Sequence, residues 1–67
     1  MKLIVNGEQV NTEEETLQKL LRVFDLKGSE KGVAVAVNDA VVAREQWSDY
    51  RLNAEDRVEI IRATQGG

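Results

Sequence analysis

Residues 1–10 read MKLIVNGEQV, and the period of this stretch decides what the fold can be. Met1, Leu3 and Val5 alternate with Lys2, Ile4 and Asn6, which is the two-residue repeat of a β-strand. Asn6-Gly7 then interrupts the pattern. That pair suits a two-residue type I′ turn, whose central residues both need positive φ. The stretch therefore predicts a strand over about 1–6 folding back on a second over about 8–11. An exposed Asn-Gly could also serve as a recognition loop, but a turn accounts for it without a ligand.

Immediately downstream the period changes. Leu17, Leu20, Leu21 and Phe24 stand at i, i+3, i+4 and i+7, an apolar stripe one helix face wide. Thr16 can cap this helix, and Thr12 with Glu15 offers a competing capping box. Glu13, Glu14 and Glu15 fall near the positive end of the helix dipole and read as a solvated helix start. Gly28 is a stop signal, and GSEKG (28–32) reads as a polar loop.

The remainder is strand-rich. VAVAVN (33–38) alternates large Val33, Val35 and Val37 with small Ala34 and Ala36. The Val side should meet the helix, because burying a valine stabilises by roughly 1.5–3 kcal/mol and an alanine by much less. Asn38-Asp39 starts a turn, and Val41-Val42 makes a short strand. REQWSDYRL (44–52) has no clean period and reads as an irregular stretch with one helical turn, anchored by Trp47 and Leu52. Asn53 to Asp56 is a turn. RVEIIRA (57–63) is the last strand, with Val58 and Ile60 inward and Arg57, Glu59 and Ile61 outward. The element order is β-β-α-β-β-β. A single apolar stripe lets the helix cover only one face of the sheet, and the simplest closure puts the last strand in the middle, beside the first.

Composition narrows the chemistry. The chain has 67 residues, 42% of them hydrophobic, with no Cys and no His. One domain (1–63) followed by a short tail (64–67) is expected. Disulfides and the usual zinc sites are excluded, as are thiolate and Ser-His nucleophiles. So small a domain has little room for a catalytic pocket, and no catalytic or metal-ligating residue is expected. A net charge of −3 argues against nucleic acid. No apolar run approaches the ~20 residues of a membrane span, and no signal peptide is evident. A reducing cytoplasm suits a chain without cysteine.

The chain ends RATQGG (62–67). A terminal glycine pair adds nothing to a core. By itself it reads as frayed debris, the stump of a linker, or a tail meant to enter a narrow space.

Several segments together choose among these. VNGE (5–8), TLQKLL (16–21), VAVAVN (33–38), VVAREQW (41–47), DRVEII (56–61) and the terminal Gly66-Gly67 cover nearly the whole chain in the order, and at about the usual length, of the ubiquitin-like β-grasp sulfur carriers. The chain most resembles the ThiS family, the small carriers of thiazole synthesis in thiamine biosynthesis. The resemblance implies an α+β ubiquitin-like β-grasp fold, with a mixed sheet of five (or four) strands, one main helix on one face and a flexible Gly-Gly tail. Two positions depart from the family pattern: Ala43 where Pro is common, and Glu55 where Gly is common. Loss of that proline should loosen one short strand. Without the glycine, Asn53 becomes the candidate for a left-handed residue in the turn before the last strand. The absence of proline disfavours the small subunit of molybdopterin synthase.

The resemblance also implies a chemistry. A partner enzyme adenylates the carboxylate of Gly67 with ATP, and sulfur replaces AMP to leave a thiocarboxylate. The carrier is no enzyme and binds no cofactor itself. Thr64, Gln65 and Gly66 would thread the partner's active site, since four extended residues reach about 13–14 Å and glycine gives the narrowest chain. The implied partners are an E1-like adenylating enzyme, a thiazole synthase and a sulfur donor of the cysteine desulfurase type, with the free carrier monomeric. The strand phases supply a docking surface, because Ile4, Ala34, Ala36 and Ile61 all point away from the helix, with Arg62 and Arg57 adding charge. Trp47 and Arg44 match family positions, and Trp47 reads as core. Sulfur carriage for another pathway (molybdenum cofactor, an amino acid or a thionucleotide), a ubiquitin-like protein modifier and an inert binding module remain the competing readings.

Overall fold

The first hairpin forms where the alternation places it. In the computed structural model, which describes residues 1–24 and 32–62, strand β1 (Lys2–Val5) pairs antiparallel with β2 (Glu8–Asn11). Val5 faces Glu8 across the turn, and Asn6 and Gly7 take φ of 50° and 84°, as a type I′ connection requires.

Helix α1 (Leu17–Val23) follows. Seven residues are too few to be helical alone in water, so packing must hold it. Leu17, Leu20 and Leu21 are buried against Leu3, Val5, Val35, Val37 and Val58. The stripe is the expected one, with Phe24 half-buried at its end. Thr16 is the N-cap, its Oγ1 accepting from the Lys19 amide at 3.4 Å. The competing Thr12–Glu15 box does not form; Thr12 Oγ1 accepts from Glu14 N instead. Consequently the three glutamates precede the cap, and the first helical turn holds no acid. Glu15 pairs with Arg51 at the surface. The stop expected at Gly28 lies outside the described residues.

Strands β3 (Val33–Val37), β4 (Ala40–Val42) and β5 (Arg57–Arg62) complete one five-stranded sheet in the order β2-β1-β5-β3-β4. β5 is central, parallel to β1 and antiparallel to β3. Asn38 and Asp39, with φ of 52° and 71°, make the tight turn between β3 and β4. The valine side of β3 meets the helix as predicted: Val35 and Val37 are buried and Val33 is half-buried.

Between β4 and β5 the chain makes a 3-10 turn (Arg44–Gln46) and an irregular run. This run closes the helix start. Leu17 N donates to the Tyr50 carbonyl and Gln18 N to the Trp47 carbonyl, while Thr16 serves Lys19 N through Oγ1 and Leu20 N through its own carbonyl. The amides of Leu17, Gln18 and Lys19, which have no partner within the helix, are thereby satisfied, and Leu20 N begins the intrahelical ladder. Trp47 is buried, and its Nε1 donates to the Val42 carbonyl at 3.0 Å. Arg44 lies over the indole, 5.3 Å from its centroid.

The turn before β5 differs from expectation. Glu55, not Asn53, is the left-handed residue, with φ of 73°. Asn53 instead donates its amide to Asp56 Oδ2 at 2.8 Å. The physical reason is that Asp56 ties the turn from inside, which places the reversal one residue before it. Ala43 has φ −63° and ψ 145°, so its φ is the one a proline ring would fix.

Candidate functional site

Among the described residues no element covers one broad face of the sheet, and register decides what lies on it. Val33, Val35 and Val37 pair with Arg62, Ile60 and Val58 on the helix side, so Ala34 and Ala36 pair with Ile61 and Glu59 on the other. Val41 pairs with Ala36, and Ile4 with Arg57, on that same open face.

Four of the five expected docking residues, Ile4, Ala34, Ala36 and Ile61, therefore share the open face. They do not make one continuous patch. Ile4 neighbours Arg57, and Glu59 stands between Arg57 and Ile61 along β5. Four residues of strand and one strand spacing separate Ile4 from Ile61 by roughly 14 Å. Arg57 is itself engaged, its Nη2 donating to Asp39 Oδ2 at 3.1 Å.

The contiguous apolar part lies toward β4. Ile61 is 58% exposed and Val41 79% exposed. Between them run Ala34, exposed, and Ala36, which is only 8% exposed despite facing outward. A short side chain in a central strand is overhung by its larger neighbours. The result is a shallow trough with an alanine floor, rimmed by Val41 on the β4 side and by Ile61 and Glu59 on the β5 side. Val41 is the residue that sequence reasoning missed. Its placement depends on the β3–β4 register, which the short run Val41-Val42 did not specify.

Arg62 lies elsewhere. The register puts it on the helix side, where with Val10, Phe24 and Ile60 it lines an open recess of about 420 Å³. Strand alternation requires this, since Ile61 and Arg62 are consecutive and must point to opposite faces. Thr64, Gln65, Gly66 and Gly67 lie outside the described residues.

The position of β5 bears on how that end is presented. Its β1 side is tied by Ile4 N donating to the Asp56 carbonyl and Asn6 N to the Val58 carbonyl, both at 2.9 Å. At Ile60 a side chain takes over: Ile60 N donates to Asn6 Oδ1 at 2.8 Å. Ile61 and Arg62 are then paired only with β3. No cluster of acidic residues suited to a metal occurs among the described residues, and no described helix is long and apolar enough to cross a membrane.

Comparison with known proteins adds a second line of evidence. Residues 3–67 match the model of the ThiS family. The crystal structure of a thiamine biosynthesis protein (ThiS) from Geobacter metallireducens superposes with a TM-score of 0.81 at 26% identity, over all of both chains. A solution structure of a thiamine biosynthesis protein from the same organism gives 0.79 at 30% identity, over all of this chain and 88% of the other. No curated protein matches the chain in sequence.

Proposed function

Since the chain belongs to the ThiS family, we propose that it is a sulfur carrier for thiazole formation in thiamine biosynthesis, loaded at the carboxylate of Gly67. The observation that carries this reading is a family match running through to Gly67, on a fold shared along its whole length with a thiamine biosynthesis protein.

The chemistry explains why such a chain needs partners. A terminal carboxylate is anionic at neutral pH and a poor acyl donor. Attack of one carboxylate oxygen on the α-phosphorus of ATP expels pyrophosphate and leaves an acyl-adenylate at Gly67. The terminal sulfur of a donor persulfide then adds to the carbonyl carbon and AMP leaves, giving an acyl disulfide; a thiol attacks the donor-side sulfur, is oxidised with it to a disulfide, and releases Gly67 as the thiocarboxylate. The carrier contributes no side chain to these steps. It contributes a terminus narrow enough to enter an enclosed site through Thr64, Gln65 and Gly66, because residues without Cβ allow the tightest approach. An E1-like adenylating enzyme, a sulfur donor of the cysteine desulfurase type and a thiazole synthase are the partners this requires. The trough of Ala34, Ala36, Val41 and Ile61 is the docking surface, with Ile4 a separate contact on the same face and Arg62 a charged contact reached from the helix side. Docking there offsets the entropy lost when the tail threads.

The test is reconstitution with an adenylating enzyme, ATP and a sulfide source, followed by intact mass. A gain equal to the difference between sulfur and oxygen, lost on deleting Gly66 and Gly67, is expected. An unchanged mass with active partner enzymes would overturn the proposal. High-mass conjugates through Gly67 would replace it with a protein modifier.

A further inference from the structure

We propose that Asn6 is a positioning residue for the reactive tail: its side chain supplies the last clamp on the β1 side of β5 before the chain leaves the sheet.

A parallel ladder between β1 and β5 can continue only while β1 remains a strand. β1 ends at Val5, where the hairpin turn carries the chain away to β2. The next amide of β5 that would seek a β1 partner is Ile60 N, and the backbone beyond Val5 has already turned. Asn6 resolves this with its side chain, whose Oδ1 stands 2.8 Å from Ile60 N. The same residue donates its own amide to the Val58 carbonyl. Asn6 therefore grips β5 at both Val58 and Ile60, across the point where the strand loses one neighbour.

Two demands meet at this position. The backbone must take a left-handed φ of 50°, which glycine, asparagine and aspartate tolerate best. The side chain must also present an acceptor to Ile60. Glycine meets only the first demand; asparagine and aspartate meet both. The turn explains why residue 6 is one of these three, and the clamp explains why it is not glycine.

The consequence concerns direction. Ile60 lies seven residues before Gly67, so the clamp sets where on the sheet, and in what direction, β5 hands over to the following chain; unclamped, that point of departure varies. Docking on the open face uses other residues. A released clamp should therefore lower the fraction of docked complexes with a productively aimed tail, leaving docking itself intact.

This inference rests on the proposed adenylation at Gly67, and its test separates the two. Asn6→Gly and Asn6→Asp are compared with the unaltered chain. Without any partner, Asn6→Gly should speed hydrogen exchange of the Ile60 amide about tenfold, the worth of one ordinary hydrogen bond, while Asn6→Asp stays near the original rate. In the adenylation assay, Asn6→Gly should lower kcat roughly three- to tenfold with KM little changed, and Asn6→Asp should restore kcat. Equal kcat for Asn6→Gly and the unaltered chain would overturn the positioning role, as would equal losses in both variants or a rise in KM alone. Failure of the unaltered chain to be adenylated would instead sink the proposed function, leaving the Ile60 exchange result to stand or fall separately.

Discussion

Asn38 and Asp56 fasten the β3–β4 turn to the start of the central strand: Asn38 Nδ2 donates to Asp56 Oδ1 at 3.0 Å, and Asn38 Oδ1 accepts from Arg57 N at 3.0 Å. Asp56 is the only charged residue buried among the described ones, and its second oxygen accepts from Asn53 N. Asp56→Ala leaves two donors without their partner and should cost about 1.5–3 kcal/mol, the range for hydrogen bonds to a charged group. Asp56→Asn keeps one acceptor and should cost less. Urea unfolding followed by Trp47 fluorescence measures both, and a loss below about 0.5 kcal/mol for Asp56→Ala would contradict the assignment.

Ile61 and Ile4 should separate in a binding assay. Ile61 rims the trough, whereas Ile4 is set apart from it by Arg57 and Glu59. Ile61→Asp should weaken binding to the adenylating enzyme about tenfold or more and leave stability within about 0.5 kcal/mol, as expected for an exposed position. Val41→Asp should behave likewise. Ile4→Ala should have the smaller effect on affinity. Titration calorimetry would refute the map if Ile4 proved dominant and Val41 silent.

Two single changes should stabilise the fold. Glu55 holds a φ of 73°, which costs a non-glycine residue roughly 1–2 kcal/mol. Its pair with Lys2, 3.5 Å apart and largely exposed, returns little. Glu55→Gly should gain about 0.5 kcal/mol after glycine's greater freedom in the unfolded chain is deducted. Ala43→Pro should add about 0.4–1 kcal/mol, because the backbone already has proline's φ. Thermal unfolding of each variant and of the pair would show a rise, additive if the sites are independent.

Trp47→Phe should destabilise by about 2–3 kcal/mol. The smaller ring leaves a void where the buried indole lay, and the Val42 carbonyl loses its donor. Loss of the Arg44 contact adds a smaller share. Since residues 47 and 50 also hold the first amides of α1, circular dichroism should show helix and tertiary signal lost together.

Elements governed by local rules were legible in the sequence. The Asn6-Gly7 turn, the leucine stripe of α1 and the valine side of β3 each follow from two or three residues and a period. What escaped depends on partners distant in the chain. Glu55 takes a left-handed backbone that its own side chain does not signal; the family's usual Gly at this position was the available mark, and the contacts of Asp56 with Asn38 and Asn53 hold the turn there. Val41 joins the exposed trough only through its register with Ala36. Arg62 could have been assigned to the helix side by extending the alternation one residue past Ile61. The proposed loading of Gly67 rests on resemblance, since composition shows only a side-chain-free terminus.

The middle position of β5 also has a mechanical meaning. A pull on the C-terminal end of β5 is taken first by β3 alone, at Arg62 and Ile61, and from Ile60 inward by β1 and β3 on both sides. A border strand would peel one bond at a time. Here the outermost rows, Arg62 with Val33 and Ile61 with Ala34, are backed by rows held from both sides, so a load on the end of β5 meets growing resistance before it reaches the core.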